Sequence, residues 1–487
     1  MIMILKNKGF FLWIKKNKEL LGLGLILAFS FFLRVYYLGL PSFWIDESIS
    51  SLVSSNILEK GLPILDSGWN YGGALFFHYI QAFFLLFGDI DFFARFPSVI
   101  FGLLTIVLGY FIGKEYSKSG GIIVALFIGI FYLEVFFSRQ ARFYQLFQLL
   151  FFSSIYFLYK SKYNKKFIWP VLIIFFLLLN TQIEGLILAP FFIVFILIYF
   201  RKKYLVIFPI IPLIKKYFFV KHLATESIAN AVGSNSASNT LVNYVSNYWN
   251  YMSNMIYVGI FFVFGGIISF FKKRLLTILI LLPSIILLIS VFSLKVFAFR
   301  YAYFFVFPLV LYFGLFFAYL YDKFGKQMIV LIILVVLIPS NIFFPFTGVN
   351  ILKPISNGYY DSSAPTTNYK SLPEGLIKDM QENVLISYFS CDVEWYIKKP
   401  DYVLPFSMNG IGNDQISMNN SQGEIVDRYS GAPILNETIR RYYLTADTFS
   451  ISKLKPDQFQ NYLGLVENCT KSYEAYDLYV WYCNREN

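Results

Sequence analysis

The chain has 487 residues, of which 57% are hydrophobic, 21% aromatic and only 14% charged, with a mean hydropathy of +0.59. Soluble globular chains carry about 25% charged residues, so this composition excludes an ordinary soluble enzyme and points to the membrane. The net charge of +12 is not a nucleic-acid signal, because residues 350–487 hold 12 basic and 17 acidic side chains (net −5) while residues 1–349 hold 29 and 12 (net +17). Lys and Arg in a membrane-embedded part set orientation and meet lipid phosphates.

Lys6, Lys8, Lys15, Lys16 and Lys18 precede the first apolar run, and no small-residue cleavage site follows it. A retained first helix is expected rather than a removed signal. Apolar runs near the roughly 20 residues that cross a bilayer give expected spans at 19–38, 96–113, 120–137, 143–160, 167–184, 185–200, 204–220, 251–271, 275–294, 301–321 and 327–346. One more run, 72–87, is left out on charge grounds. With it omitted and the N-terminus cytoplasmic, the basic loops at Lys114/Lys118, 160–166, 201–203, 272–274 and Lys323/Lys326 all fall inside, as the positive-inside rule asks. If it spans, all five fall outside. Residues 72–87 are therefore expected to lie at the outer interface. The expected fold class is a polytopic α-helical membrane protein of about 11 spans (residues 1–349), followed by a small extracytoplasmic α/β domain (residues 350–487).

Ionisable groups at membrane depth are expensive and tend to line water-filled cavities. In this topology Arg34, Glu134, Glu184 and Arg300 sit in or at the ends of spans on the outer side, and Asp46, Glu47, Arg95, Arg139, Arg142 and Lys295 lie in outer loops. Each alone reads equally well as a snorkelling or paired structural charge. Together they favour a polar chamber at that leaflet. The first outer loop runs Pro41-Ser-Phe-Trp-Ile-Asp46-Glu47-Ser48, and helical periodicity resumes over Ser48–Glu59. Two readings of Asp46 stand side by side: a helix N-cap with Glu47 in the first turn, or a general base that takes the proton of a hydroxyl acceptor. There are two histidines, His78 and His222, and no Cys/His metal spacing; His78, alone on an aromatic-rich helix, reads as packing.

Order and spacing of short motifs add a resemblance. Phe43-Trp-Ile-Asp-Glu-Ser-Ile-Ser50 is followed by Leu85-Leu-Phe-Gly88 and Phe93-Ala-Arg-Phe-Pro-Ser98, then Ser138-Arg-Gln-Ala-Arg-Phe-Tyr144 and Phe299-Arg-Tyr-Ala-Tyr-Phe304. This arrangement resembles the GT-C glycosyltransferases, in particular the branch of protein O-mannosyltransferases and lipid A aminoarabinose transferases (glycosyltransferase families 39 and 83). It covers residues 20–200 well and 295–345 loosely. The resemblance implies a multi-pass enzyme of the cell membrane that moves a sugar from a polyprenyl-phosphate donor, dolichyl or undecaprenyl, to a hydroxyl on a protein, glycan or lipid, with inversion. Asp46 would be the catalytic base and Glu47 an assisting or orienting group. Arg300, Arg139, Arg142, Arg95 or Lys295 would hold the donor phosphate, since guanidinium matches phosphate oxygens in a fork. Arg34, Glu134, Glu184, Tyr144 and Tyr301 would line the chamber. No cofactor is required, because arginines can stabilise a monophosphate leaving group. A divalent metal is compatible but not indicated: Asp89-Ile-Asp91 matches a metal motif in letters only and, beside Arg95, reads as structural. The chain departs from the family at Gly72-Gly73, where relatives often have Pro-Pro, and at Asn180-Thr-Gln-Ile-Glu-Gly185, where many have a His.

The tail alternates apolar strands expected at 384–389, 402–406, 441–446 and 477–483 with a helix-like stretch near 453–463. Asp427-Arg-Tyr-Ser-Gly-Ala-Pro433 resembles the exterior domain of some family members. The three cysteines, Cys391, Cys469 and Cys483, all lie here. An exterior tail would let Cys469 and Cys483 pair; otherwise all three stay thiols. Asn419, Asn436 and Asn468 each open an Asn-x-Ser/Thr sequon. Two rival readings share much of this pattern. A lipid-linked-sugar flippase also needs a polar chamber but should show inverted repeats, and none is evident. A non-enzymatic membrane scaffold leaves the clustered outer charges unexplained.

Overall fold

The computed structural model describes residues 17–68, 73–88, 91–200, 256–292, 299–337, 367–388, 390–404, 417–419, 424–427, 429–435, 439–447, 451, 456–467, 469–475 and 478–484. The chain forms two compact units, Met1–Tyr36 with Phe96–Lys353 and Tyr37–Arg95 with Pro354–Asn487. The expected division at 349/350 lies near one of these breaks. The segment Tyr37–Arg95 nevertheless groups with the tail, where several of its polar groups find partners.

The first unit is helical. It contains α1 (Lys18–Val35) and, beyond the second unit's α2 (Ile45–Lys60) and α3 (Leu75–Leu85), most of α4 (Asp91–Tyr116). There follow α5 (Gly120–Ile130), α6 (Tyr132–Phe137), α7 (Tyr144–Ser161), α8 (Ile168–Thr181), α9 (Ala189–Tyr199), α10 (Ile256–Lys272), α11 (Arg274–Phe292), α12 (Val306–Phe324) and α13 (Met328–Leu337). Three stretches among the described residues are long and apolar enough to cross a membrane: Asp91–Tyr116, Arg274–Val291 and Arg300–Val335. The expected span 120–137 is broken at Phe131, whose extended backbone (φ −63°, ψ 127°) ends α5 and starts α6. The expected span 167–184 ends at Thr181, and a 3-10 turn, Ile183–Leu188, leads into α9. The expected span 204–220 lies outside the described residues.

The second unit holds α3, the run left out of the span count. It has 11 residues, which is about 16 Å of helix against a hydrocarbon core of about 30 Å. Phe77, His78, Gln81, Ala82 and Leu85 are buried, while Tyr79, Phe83, Leu86 and Phe87 are exposed.

The tail of this unit forms a five-stranded sheet in the order β2-β1-β5-β7-β6. Its strands are β1 (Leu385–Ser387), β2 (Tyr402–Val403), β5 (Arg441–Asp447), β6 (Thr470–Ala475) and β7 (Leu478–Asn484), and a separate antiparallel pair joins β3 (Ser417–Asn419) to β4 (Ile425–Asp427). β1 runs parallel to both β2 and β5, and β7 runs antiparallel to β5 and β6. Alternation along the strands sends Leu385, Tyr443, Leu478 and Val480 to one face, packed with Met380 of α14 (Glu374–Glu382) and Val393 of α15 (Ser390–Tyr396). It sends Ile386, Tyr442, Leu444 and Cys483 to the other, packed with Tyr462 of α16 (Pro456–Val466). Cys469 and Cys483 are joined by a disulfide. Helices thus cover both faces of a mixed sheet. Gly431 takes a left-handed φ of +69°, and a Cβ there would meet the Ser67 Cα at 2.8 Å, so this position needs glycine to lie against the loop after α2.

In the helical unit a close approach involves Arg34. A Cβ on Gly102 of α4 would stand 2.7 Å from Ser138 Cβ and 2.9 Å from Arg34 Nε. Gly102→Ala should therefore destabilise the protein by about 1–3 kcal/mol, the usual range for overpacking, seen as a lower midpoint of thermal unfolding in detergent. An unchanged midpoint would mean that α1 and α4 are not packed this closely.

Candidate functional site

The Asp46-Glu47 turn is built from the backbone outward. Trp44 is the N-cap residue of α2, with extended φ −95° and ψ 163°. Asp46 is therefore the second residue of the helix, two positions past its cap, which corrects the capping reading. The cap is completed instead by Glu47, whose Oε2 accepts the Trp44 N–H at 3.4 Å. Glu47 is buried and Asp46 is half-buried.

Arg95, near the start of α4, was expected among the phosphate ligands. Its guanidinium is occupied otherwise. Nε donates to Glu47 Oε1 (2.9 Å), Nη1 to the carbonyls of Leu38 (2.9 Å) and Pro41 (2.8 Å), and Nη2 to Glu47 Oε2 (2.8 Å) and the Ser42 carbonyl (3.1 Å). All five N–H groups of an arginine are thereby used, and the ion pair is buried, with side-chain exposures of 4% and 2%. The Phe43 ring lies 4.8 Å from the guanidinium. Arg95 holds the turn and has no donor left for a phosphate.

Sequence reasoning missed the partners on α15. The Tyr396 hydroxyl accepts the Phe43 N–H (2.6 Å) and donates to Asp91 Oδ2 (2.7 Å). Trp395 Nε1 donates to Asp91 Oδ1 (3.1 Å), and Lys370 Nζ pairs with Asp91 Oδ2 (2.6 Å). Asp91 thus bridges three side chains of the tail; Asp89 lies outside the described residues. The Ser48 hydroxyl donates to Asp392 Oδ1. Cys391, on the same helix, packs with Ile49, Val53 and Leu65. His78 is buried, with Nδ1 3.3 Å from the Ser54 hydroxyl and its ring edge-on to Phe77. Burial, and then the charges of Asp447, Glu47 and Asp46, push Asp392 from near 3.8 up to about 8. Burial and the neighbouring Asp66 likewise raise Glu394 to about 8.

The helical unit places the other expected residues differently from one another. Arg34 and Glu134, expected to line a chamber, are fully buried. Arg34 Nη1 donates to the carbonyls of Ser30 (3.2 Å) and Gly129 (2.8 Å). Glu134 Oε1 accepts from Gln148 Nε2 (3.0 Å), and the Tyr303 hydroxyl lies between Glu134 Oε2 (2.8 Å) and Gln145 Oε1 (2.5 Å). Gln145, Gln148 and Tyr303 were not foreseen; the spacing of Gln145 and Gln148, on one face of α7, was the available signal. Arg139 is half-buried and donates through Nη2 to the Tyr36 carbonyl (2.8 Å). Arg142 is buried, 4.8 Å from the Phe143 ring and 5.5 Å from that of buried Tyr144. Arg300 and Tyr301 are half-buried in the 3-10 turn Phe299–Phe305, the guanidinium 5.1 Å from the Tyr301 ring. Glu184 is exposed, and Lys295 lies outside the described residues.

No family model matches the sequence, and no curated protein matches it. Solved structures do match. ArnT of Cupriavidus metallidurans, a lipid A aminoarabinose transferase solved with undecaprenyl phosphate, superposes with a TM-score of 0.59 over 94% of this chain and 97% of its own, at 10% identity. The oligosaccharyltransferase AglB of Archaeoglobus fulgidus, solved with an inhibitory peptide and a dolichol-phosphate, gives 0.52 over 89% of this chain and 70% of its own, at 13% identity. The chain has the GT-C fold. At these identities the likeness concerns the fold, and in this chain the turn after α1 carries Asp46 and Glu47.

Two outcomes follow from the geometry of this turn. Removing one partner of a buried ion pair costs about 3–5 kcal/mol, so Arg95→Ala should lower the thermal midpoint sharply. Arg95→Lys should not restore it, since an ammonium offers three donors in place of five. A wild-type midpoint for Arg95→Ala would return Arg95 to the phosphate candidates. The second concerns pH. Folded Asp392 keeps its proton up to about pH 8, whereas the unfolded residue loses it near 3.8. The folded state therefore binds more protons across this window, and stability falls as pH rises from 4 to 8. Asp392→Asn should flatten that slope in midpoints measured across the window; parallel curves for the two proteins would contradict the buried, protonated state.

Proposed function

We propose that the chain is a membrane glycosyltransferase that moves a sugar from a polyprenyl-phosphate donor to a hydroxyl-bearing protein, glycan or lipid, with Asp46 as general base. The observation that carries this reading is the split between the two adjacent carboxylates. Glu47 is buried, paired and used as a cap, whereas Asp46 is half-exposed at the start of a helix that its neighbours already cap and anchor. An oriented carboxylate with solvent access is what a base needs. Polyprenyl phosphates bound to ArnT and AglB support the donor class.

In the reaction the acceptor oxygen attacks the anomeric carbon, and its proton passes to the Asp46 carboxylate. The bond from that carbon to the phosphate oxygen breaks, and the electron pair leaves with the lipid phosphate. Attack opposite the leaving group inverts the anomeric centre. Arg139, Arg142 and Arg300 of the helical unit are the guanidinium candidates for the phosphate. Glu47 acts by orientation alone.

Asp46→Asn should retain the thermal midpoint, because the cap does not depend on it. It should lower sugar transfer by roughly two or more orders of magnitude, the size of a lost acid–base contribution. The assay is transfer from a purified polyprenyl-phosphate donor. Near-normal transfer by this variant would remove Asp46 as the base, and wild-type protein that transfers no sugar from such donors would count against the glycosyltransferase reading.

A further inference from the structure

The turn that carries Asp46 is gripped on both sides by one short helix of the tail. On the side before Asp46, the Phe43 N–H donates to the Tyr396 hydroxyl at 2.6 Å, and the Phe43 ring packs against Trp395 (centroids 5.3 Å apart). On the side after it, the Ser48 hydroxyl donates to Asp392. Tyr396 is fixed in turn by Asp91 (2.7 Å) and by a stacked Tyr369 (5.7 Å between centroids, 10° between planes). Asp392 and Cys391 are 3% and 2% exposed. α15 is seated by Val393 and Ile397 in the core beneath the sheet. The grip therefore reaches from the sheet core to the Phe43 N–H and the Ser48 side chain on either side of Asp46.

We propose that α15 is a positioning element for the Asp46 carboxylate, with Tyr396 and Asp392 as positioning residues that act through Phe43 and Ser48. This rests on the reading of Asp46 as general base. A base held loosely spends little of its time in the productive geometry, and misplacement on the order of 1 Å costs up to a hundredfold in rate. A shell of residues locked by packing prevents that. Asp392 faces Ser48, Asp46, Glu47 and Asp447, with Tyr369 nearby, and its raised pKa suits a carboxyl that shapes the turn as a neutral hydrogen-bonding group. Asn can then replace it, whereas Ala cannot.

The test uses the full-length protein in nanodiscs with a panel of undecaprenyl- and dolichyl-phosphate-linked hexoses and pentoses. Tyr396→Phe and Asp392→Ala should each lower kcat about tenfold while KM for the donor stays within about twofold, because an orienting contact acts on the chemical step. Asp392→Asn should be near wild type. Neither Tyr396→Phe nor Asp392→Ala should lower the residual rate further when combined with Asp46→Asn. Hydrogen–deuterium exchange over residues 43–49 should speed up in Tyr396→Phe and Asp392→Ala. Unchanged kcat in both variants, a further loss on the Asp46→Asn background, or an Asp392→Asn rate as low as that of Asp392→Ala would each overturn the proposal; the last would make Asp392 a proton carrier. Wild-type protein that consumes none of the panel counts against glycosyl transfer itself and takes the catalytic half of the proposal with it. The exchange measurement then still decides whether α15 holds the turn, and unchanged exchange overturns that half.

Discussion

The buried pair of Arg95 and Glu47 is the constraint on which the arrangement around Asp46 depends. Taking two charges out of water costs several kcal/mol each, and their attraction offsets this only when every remaining donor is also satisfied. Arg95 meets that condition with two bonds to Glu47 and three to backbone carbonyls between Leu38 and Ser42. Those carbonyls belong to the irregular stretch between α1 and α2, which forms no ladder of its own to satisfy them. One side chain thus fixes the path of the chain into α2, and a lysine could not replace it.

The same economy governs the tail. Its sheet is small, but β1 and β5 are buried on both faces, between helices. α15 follows β1 directly and draws its rigidity from that core. A seven-residue helix is unstable alone; here Val393 holds it to the sheet while Asp392, Trp395 and Tyr396 reach the segment 43–91. The tail is therefore structurally continuous with the segment Tyr37–Arg95, a grouping that reading the chain as two consecutive domains did not anticipate.

Much of the fold was legible in the sequence. The apolar runs marked α1, α4, α7 and α11, and strand alternation marked β1, β2, β5 and β7 within a few residues. The charge of the flanking loops argued against a span at 72–87, where the structure has the 11-residue α3. What was missed lacked a periodic signal. β6 reads Thr-Lys-Ser-Tyr-Glu-Ala, an edge strand with little apolar surface, and α15 is too short to show a helical repeat. The break at Phe131 leaves no trace in a continuous apolar run. At the site, motif order drew attention to Asp46 and Glu47, but nothing in the letters shows that every donor of Arg95 is occupied. That depends on which carbonyls the fold brings to its guanidinium.

The bond between Phe43 and Tyr396 joins residues 353 apart in sequence. Contacts of such separation form late, because a long loop must close first. The segment around Asp46 emerges early in synthesis, yet the helix that grips it appears only after the helical unit has been made. β1, which precedes that helix, is itself flanked by β5, and β5 is flanked by β7 at Leu478–Asn484. Maturation of the turn is thus tied to delivery of the tail, and an interrupted chain would carry the acidic pair without the framework that aims it.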